Sequence, residues 1–336
     1  MRLIKTTIKN TIAYFLYYSG LLSLVKNRKL RNKAFVLAYH RILPEKMLEK
    51  INSTAGIITD SDLFRRQLSW LKSEFHIIGI DEVQDLLLNG REMVSNGCLV
   101  TFDDGWQDNY EYAKAPLAEE GIPATIFLPY NYIGEEQVFW QEEMLARFSQ
   151  LNSSEDDADR ALLKQLTGIE AVSDTHTLRS AVTAMKSRDY AEIYDTLDRL
   201  REHQKEKLVN LKYDTYMTWL QVEKLAASNI NFGSHALSHR ILTQIEPDDA
   251  RYEISESKKL IEEKIGTEVN AIAYPNGNCD TTIEKIVAES GFQMGFIMGG
   301  GYVSQDSNPM ALPRINVHTN NSRNKPVFLC TILNIF

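Results

Sequence analysis

Cysteine is scarce in this sequence: the 336 residues include only Cys98, Cys279 and Cys330. Three scattered cysteines exclude a disulfide framework and a cysteine-rich zinc cage, and they are compatible with a reducing compartment. Hydrophobic residues make up 43% of the chain and charged residues 24%, which is typical of a soluble globular protein. The length fits one large α/β domain with an insertion, or two domains.

A hydrophobic run long enough to cross a membrane is also lacking. Thr11–Val25 is apolar for about 15 residues, short of the ~20 that a spanning helix needs. Basic residues flank this run on both sides, and no small-residue cleavage site of a signal peptide follows it. Two interpretations remain open. Either a helix lies on an anionic membrane surface through its aromatic residues, or the segment packs on the domain or is a disordered basic lead-in.

Acidic residues are absent from the first 44 positions, which hold nine lysines and arginines. The remainder holds 28 basic and 45 acidic residues, so charges of +9 and −17 give the net charge of −8. An acidic body argues against nucleic acid as a partner. Residues 1–33 form a basic amphipathic segment that is a candidate for peripheral membrane contact. The expected location is cytoplasmic, at the inner membrane face.

Apolar strand patterns alternate with amphipathic helix patterns along most of the chain. We predict strands at 34–39, 76–80, 99–102, 124–128, 230–233, 269–274, 292–297 and 310–317. Such alternation indicates a parallel sheet, either open or closed into a barrel. This alternation is interrupted over about residues 134–218, where the pattern is helical and charged. An insertion of this kind between strands is typical of a cap over the rim of a site.

Two adjacent carboxylates, Asp103 and Asp104, directly follow the strand pattern 99–102, and Gly105 ends it. Parallel α/β folds place their chemistry at the carboxyl ends of strands. Two like charges buried together need a cation or a proton to offset their repulsion. The alternative is a capped loop, in which one aspartate caps the helix that starts near Asp108.

Two histidines, His235 and His239, follow another buried strand with a spacing of i, i+4. On a helical turn, that spacing places both imidazoles on one face, where they can bind one cation. Two polar surface residues would give the same spacing, so the pair alone is weak evidence. With one carboxylate, however, two histidines form a facial ligand set that leaves positions open for water and substrate.

Together these motifs resemble the polysaccharide deacetylases with a NodB-homology domain, carbohydrate esterase family 4. The matching residues, in the family's order, are Thr101–Gly105, Ser234-His235 with His239, Tyr274–Gly277 and Leu312–His318. The resemblance spans residues 34–322, interrupted by the insertion. It implies an α/β fold, a distorted (β/α)7-type barrel. The residue patterns of this chain add a helical insertion and a basic N-terminal helix to that barrel. Residues 323–336 would then be a C-terminal tail.

The resemblance also implies a role for each site residue. Asp104, His235 and His239 would bind a divalent metal, with zinc as the first choice, although cobalt and nickel suit the same ligands. Asp103 would be the general base toward a metal-activated water. His318 would be the general acid, because a histidine near a carboxylate titrates in the right range. The backbone N–H of Asn276 would donate to the oxyanion.

Two departures from the family's pattern bear on this site. Many members carry an arginine, paired with the base, at the position of Ala273. Arg314 is a candidate replacement, and a purely structural arginine is the alternative. The family's Asp-and-Trp motif is absent from residues 292–303, which leaves the orientation of His318 open. The remaining candidates, as site-lining residues, are His40, Tyr274, Pro275 and Trp106.

The sequence thus predicts a metal-dependent hydrolase that removes acetyl groups from N-acetylated sugars of a polysaccharide or glycan precursor. One alternative is an O-deacetylase that uses the same site. The other is a non-catalytic protein that binds glycans or belongs to a biosynthesis complex and keeps the metal for structure. Retention of Asp103 and His318 favours an enzyme, because a structural metal site needs neither residue.

Overall fold

A ring of parallel strands forms the centre of the molecule. The computed structural model describes residues 2–92, 95–170, 172, 175–205 and 209–336, with the backbone only for residues 2–5. The strands are β1 (Ala34–Tyr39), β2 (Arg41–Leu43), β3 (Ile58–Asp60), β4 (His76–Ile77), β5 (Gly97–Phe102), β6 (Ala124–Leu128), β7 (Ile230–Ser234), β8 (Ala271–Ala273), β9 (Met294–Met298) and β10 (Leu312–Asn316).

Seven of these strands close into a barrel, so the expectation of a (β/α)7-type fold is confirmed. The order around the ring is β1-β10-β9-β8-β7-β6-β5, and β5 pairs back to β1. The register of that closing pair places Leu37 opposite Val100. Every residue of β1 and β5 is buried, as expected for parallel strands that are covered on both faces.

The strand predicted at 76–80 is mostly wrong. Only β4 is extended there, and it pairs with the start of β5 outside the ring. A helix begins at Ile80, because the Glu82 side chain caps the backbone N–H of Gly79 at 3.2 Å. The strands β2 and β3 form a separate small parallel sheet.

Helices alternate with the strands along most of the chain. They are α1 (Arg2–Tyr18), α2 (Leu21–Lys29), α3 (Ser61–Glu74), α4 (Ile80–Leu88), α5 (Lys114–Glu120), α6 (Trp140–Asn152), α7 (Asp157–Thr167), α8 (Thr175–Met185), α9 (Tyr190–His203), α10 (Trp219–Ala226), α11 (Pro247–Ile265), α12 (Thr281–Glu289) and α13 (Lys325–Ile332). A π-helical turn, Asn109–Ala113, precedes α5, which ends at Gly121 with a φ of 65°.

The chain divides into two compact units. The first takes in residues 1–45, 55–135 and 216–336 and contains the barrel; the second takes in residues 46–54 and 136–215. The second unit therefore includes a short stretch before β3 that the sequence did not associate with the insertion. Its helices α6 to α9 share their own apolar core. Residues 171, 173–174 and 206–208 of the predicted insertion lie outside the described residues, as does Met1 of the N-terminal segment.

The N-terminal segment is part of the barrel unit. Gly20, with a φ of 76°, divides the apolar run into α1 and α2, and α1 packs on α13. Lys26 on α2 and Lys325 on α13 both bind Glu74 on α3, at 2.8 and 2.7 Å. The interpretation as a disordered lead-in is therefore wrong. Among the described residues, no helix combines the length and the apolar character that crossing a membrane requires.

The C-terminal segment predicted as a tail contains the helix α13, which packs on the barrel unit. Phe328 and Cys330 of α13 are fully buried, and the Phe328 ring lies 6.0 Å from that of Trp70 on α3. The hydrophobicity of this segment reflects its place against the barrel, where apolar side chains contribute to the core.

Candidate metal and catalytic site

Asp103 and Asp104 lie at the carboxyl end of β5, and both are almost fully buried. The backbone N–H of Asp103 still donates to the carbonyl of Tyr39 at 2.9 Å, so Asp103 continues the strand pairing with β1. Asp104 adopts the left-handed conformation, with a φ of 73°. Few residues other than glycine adopt it, and aspartate and asparagine do so most readily. This turn gives the two neighbouring carboxylates different surroundings.

His235 and His239 bring their Nε2 atoms to the same oxygen of Asp104. Oδ1 of Asp104 lies 3.4 Å from Nε2 of His235 and 3.3 Å from Nε2 of His239. The helical turn expected between the two histidines is wrong. The segment is irregular, and Ala236 and His239 have φ values of 62° and 57°. The imidazoles converge because the loop folds back on itself, and not because of helical periodicity.

The three side chains can hold one metal ion, because their ligand atoms all lie within 4.8 Å of one another. Metal–ligand bonds of about 2.0–2.1 Å at tetrahedral angles would separate neighbouring ligand atoms by about 3.3–3.4 Å. Both separations from Asp104 Oδ1 fall in that range. This oxygen is buried and has no hydrogen-bond partner in the described part of the chain, a costly arrangement unless a cation binds it. The donor set of two nitrogens and one oxygen suits zinc, cobalt or nickel.

Outer contacts orient each of the two buried ligands. The Nδ1 of His235 lies 2.6 Å from the carbonyl oxygen of Ala273, so Nδ1 carries the proton and Nε2 is left to bind a metal. The indole N–H of Trp106 donates to Oδ2 of Asp104 at 2.9 Å. The Arg41 guanidinium in turn lies 4.3 Å from the centre of the Trp106 ring and binds Asp108 at 2.9 Å.

A buried glutamate on α11 holds the loop between the two histidines. Oε2 of Glu253 accepts the backbone N–H groups of Leu237 and Ser238, at 3.0 and 2.8 Å, and its other oxygen accepts the hydroxyl of Ser238. The sequence analysis missed this residue. Its signal is a charged residue on the inward face of the helix, beside Ile254, where apolar residues are expected.

Replacing Glu253 with glutamine is expected to weaken metal binding by about 10- to 100-fold, the usual cost of losing an outer-shell partner. Glutamine keeps one acceptor oxygen but loses the charge that holds two N–H groups and a hydroxyl. Competition against a zinc-buffering chelator measures the effect. Glu256→Gln, on the same helix, is the control. Equal affinity in both variants would show that the loop holds its shape without Glu253.

Asp103 forms the second half of the site with Arg314. Two parallel bonds of 2.6 and 2.7 Å join the guanidinium of Arg314, on β10, to the two carboxylate oxygens. Arg314 is completely buried and also donates to Thr101 at 3.3 Å. Burial alone would raise the pKa of Asp103, but the charge and hydrogen bonds of Arg314, together with His235 and His40, outweigh it and hold that pKa below its ordinary value. The carboxylate is therefore ionised at neutral pH.

His40 lies beside Asp103, and a further histidine, His318, interacts electrostatically with His40. Nε2 of His40 is 3.7 Å from Oδ2 of Asp103, and burial lowers the pKa of His40 despite the nearby aspartates. Burial, followed by the charge of His40, also lowers the pKa of His318. Among the described residues, no carboxylate is one of the groups that shift the His318 pKa. The carboxylate neighbour expected for His318 is thus replaced by a second histidine, and both imidazoles are neutral at neutral pH.

Three candidate lining residues are buried instead. Trp106 and Tyr274 are fully buried, and Pro275 is buried as well. The Tyr274 hydroxyl donates to the carbonyl of Met310 at 2.8 Å, so this side chain supports the β9–β10 side of the barrel. Sequence motifs do not distinguish a residue that faces the substrate from one that packs behind the site.

Asn276 lies in the turn that follows β8, with an exposed side chain and a φ of 59°. This turn comes three residues after Ala273, whose carbonyl orients His235. The left-handed conformation suits asparagine, which tolerates it better than most other residues do. The described turn is compatible with a backbone donor at its exposed corner.

A parallel barrel with two imidazoles and a carboxylate at its strand ends is typical of a hydrolase that uses a metal ion. The family model named "Polysaccharide deacetylase" matches residues 91–213 and 208–295, so this chain belongs to the polysaccharide deacetylase family. The prediction of a carbohydrate deacetylase is thereby confirmed.

Relatives agree with this assignment. The Bacillus subtilis (strain 168) protein "Putative polysaccharide deacetylase YxkH" is 22% identical over 276 residues, covering 82% of this chain and 71% of that protein. The deacetylase PplD of Streptococcus pyogenes, solved in complex with acetate, has a TM-score of 0.58 at 20% identity, covering 89% of this chain and 98% of that one. IcaB from Ammonifex degensii has a TM-score of 0.59 at 16% identity, covering 90% and 97%. These structures share the fold.

Proposed function

We propose that this enzyme removes acetyl groups from N-acetylated sugars of a polysaccharide or glycan precursor, with a divalent cation, zinc first, bound by Asp104, His235 and His239. The observation that carries the proposal is the convergence of Nε2 of His235 and Nε2 of His239 on Oδ1 of Asp104. The neighbouring Asp103 is bound by Arg314 instead. A cation bound there would act as a Lewis acid and lower the pKa of a water to about 7.

Asp103 is the general base of this proposal. Its low pKa keeps the carboxylate ionised, and the two bonds from Arg314 fix its orientation. As the water oxygen attacks the acetamide carbon, the carboxylate accepts the proton. Arg314 is then the positioning partner of the base. It takes the place of the family arginine that is absent at Ala273, and it does so from a different strand.

The other half of the reaction transfers a proton to the leaving nitrogen. The backbone N–H of Asn276 donates to the carbonyl oxygen as negative charge develops on it. The carbon–nitrogen bond breaks, and His318 protonates the amine. Because burial keeps the His318 imidazole neutral at rest, it gains this proton during turnover, and the proton that Asp103 takes from the water is the one that the reaction supplies. The products are acetate and a free amino group on the sugar.

Acetate release tests this proposal directly. Oligomers of N-acetylglucosamine and bacterial glycan fractions would be incubated with the full chain, with and without EDTA, and with zinc added back. Acetate that disappears with EDTA and returns with zinc is the expected result. Acetate released only from O-acetylated fractions would overturn N-deacetylation in favour of ester hydrolysis. Acetate release that is unaffected by EDTA would overturn the metal assignment.

The PplD structure is a useful guide for this assay, because it was solved with acetate. Acetate would be a product of the proposed reaction. We therefore expect the site of this chain to accommodate an acetamide group. The assay should also include a test for product inhibition by acetate.

The proposal extends to a peripheral contact between α1–α2 and an anionic membrane, at the inner face of a cytoplasmic membrane. A group of exposed apolar side chains supports it: Ile8, Ile12, Tyr14, Phe15, Tyr18, Leu21 and Leu24. Phe15 is 66% exposed and Leu24 is 67% exposed, although each occupies a helix that packs on the barrel unit. The same segment has no acidic residue to oppose anionic lipid headgroups.

Replacing Phe15 and Leu24 with serine is expected to lower binding to phosphatidylglycerol vesicles, since apolar burial and charge together determine such binding. Vesicle sedimentation measures the bound fraction. Leu220→Ser is the matched control, because Leu220 is 59% exposed but lies on α10. Unchanged sedimentation of the double variant would reject the membrane contact without affecting the catalytic proposal.

A further inference from the structure

A large cavity lies beside the catalytic site, at the carboxyl ends of β9 and β10. Its volume is about 740 Å³, enough for a sugar unit or two. Its walls come from α1, from the glycines that follow β9, from β10 and the turn after it, and from α13. Arg314 belongs to both places, since it binds Asp103 and also lines this cavity. None of the proposed metal ligands lines it.

The chemistry of the wall is cationic and rich in amides. Among the described residues that line the cavity, three are basic and none is aspartate or glutamate. The basic residues are Lys9, Arg314 and Arg323. The amides, which can each donate and accept hydrogen bonds, are Asn10, Asn316, Asn320, Asn321 and Asn334. The body of the protein is acidic, so a wall without carboxylates is a local exception that favours an anionic ligand.

The glycines after β9 leave one side of the cavity without side chains. A Cβ at Gly299 would meet nothing within 4 Å, and a Cβ at Gly300 would come no nearer than 3.9 Å to the Asn334 amide. Both residues have positive φ values, of 145° and 72°. The backbone is therefore exposed on this wall, and a ligand can approach it closely.

We propose that this cavity binds a sugar unit that carries an anionic group, a phosphate or a carboxylate. Lys9 and Arg323 at the exposed wall neutralise the anionic group, while the amides of the wall bond the hydroxyls. The choice of a sugar rests on the proposed function. Arg314 also binds Asp103, so the anionic sugar unit lies next to the sugar unit that loses its acetyl group. The substrate is therefore an anionic glycan or a phosphorylated glycan precursor.

Binding of sugars without an acetyl group tests the cavity independently of deacetylation. Isothermal titration calorimetry on the zinc-loaded full chain would use glucose 1-phosphate, glucuronate, glucose and inorganic phosphate. At least one anionic sugar is expected to bind tenfold or more tightly than glucose, at about the strength of one or two charge-assisted hydrogen bonds. The phosphate and carboxylate arms identify which anionic group the substrate carries.

Charge-removing variants place the binding in this cavity. The double variant Lys9→Gln, Arg323→Gln is expected to lose tenfold to 100-fold in affinity for the anionic sugar, since each of the two charge-assisted contacts contributes roughly tenfold. Arg66→Gln, an exposed arginine on α3, is the control and should leave this affinity unchanged. Equal binding of glucose and the anionic sugars would overturn the proposal. Full binding by the double variant would also overturn it, as would inorganic phosphate binding as tightly as both anionic sugars.

Failure here and failure of the proposed function give different results. Acetate release with no preference for anionic sugars leaves the deacetylase and removes the anionic subsite. Anionic-sugar binding that depends on Lys9 and Arg323, without acetate release from any fraction, leaves a glycan-binding cavity and overturns the proposed reaction.

Discussion

Asp103→Asn should retain one equivalent of bound divalent metal and lose about two to four orders of magnitude in turnover, the usual contribution of a general base. The metal ligands proposed here do not include Asp103, so their geometry is unaffected. An asparagine amide can still accept one hydrogen bond from Arg314, but it cannot take a proton from water. Acetate release and metal content, measured on the same preparation, test both halves of the prediction.

This substitution also leaves the buried charge of Arg314 without its counter-ion. Breaking a buried pair in this way costs about 3–5 kcal/mol of folding stability. The double variant Asp103→Asn, Arg314→Met removes both charges and should recover much of the lost thermal stability. It should remain inactive. Activity that returns together with stability would show that Asp103 acts through the fold and is not the base.

Asp104→Ala should release the metal and thereby abolish activity. The carboxylate is the only anionic member of the three-ligand set, and its Oδ1 is the atom on which both imidazoles converge. The loss should exceed the roughly 10- to 100-fold expected for outer-shell changes such as Glu253→Gln. Metal analysis after dialysis against a chelator-buffered zinc solution measures the result.

Asp104→Asn is the matched variant, because alanine fits the left-handed φ of 73° poorly and could disturb the turn. Asparagine tolerates that conformation and keeps the shape and a neutral oxygen, so it isolates the loss of charge. Both variants should lose metal, while Asp103→Asn keeps it. A full equivalent of tightly bound metal in Asp104→Asn would contradict the ligand assignment.

Local sequence patterns were sufficient for the barrel and for the strand ends that carry the site. Buried strands and the helices between them have strong periodicities, so the seven ring strands were found with small errors at their ends. The chemistry-bearing pairs, Asp103 with Asp104 and His235 with His239, come directly after such strands. The parallel topology then places the carboxyl ends of β5 and β7, on either side of β6, at the same edge of the ring.

The errors share a physical cause, which is dependence on distant partners. The loop from His235 to His239 takes its shape from Glu253, on a helix later in the chain. No local pattern encodes that contact, so the helical spacing was misleading. Burial of Trp106 and Tyr274 likewise depends on packing between separate elements. The sequence left two roles open for Arg314, as the partner of the base or as a structural arginine. The structure shows its direct contact with Asp103, and its role in catalysis remains a prediction.

The strand that closes the ring, β10, also carries the cation of the base. Synthesis from the N-terminus delivers both aspartates and both metal-binding histidines before Arg314 leaves the ribosome. Until then, Asp103 has no counter-ion from this strand, and β1 has no neighbour on its β10 side. Completing the barrel and balancing its charge are consequently one event. A nascent chain that ends before β10 would have an unclosed ring of strands, and its Asp103 would lack the positive charge of Arg314.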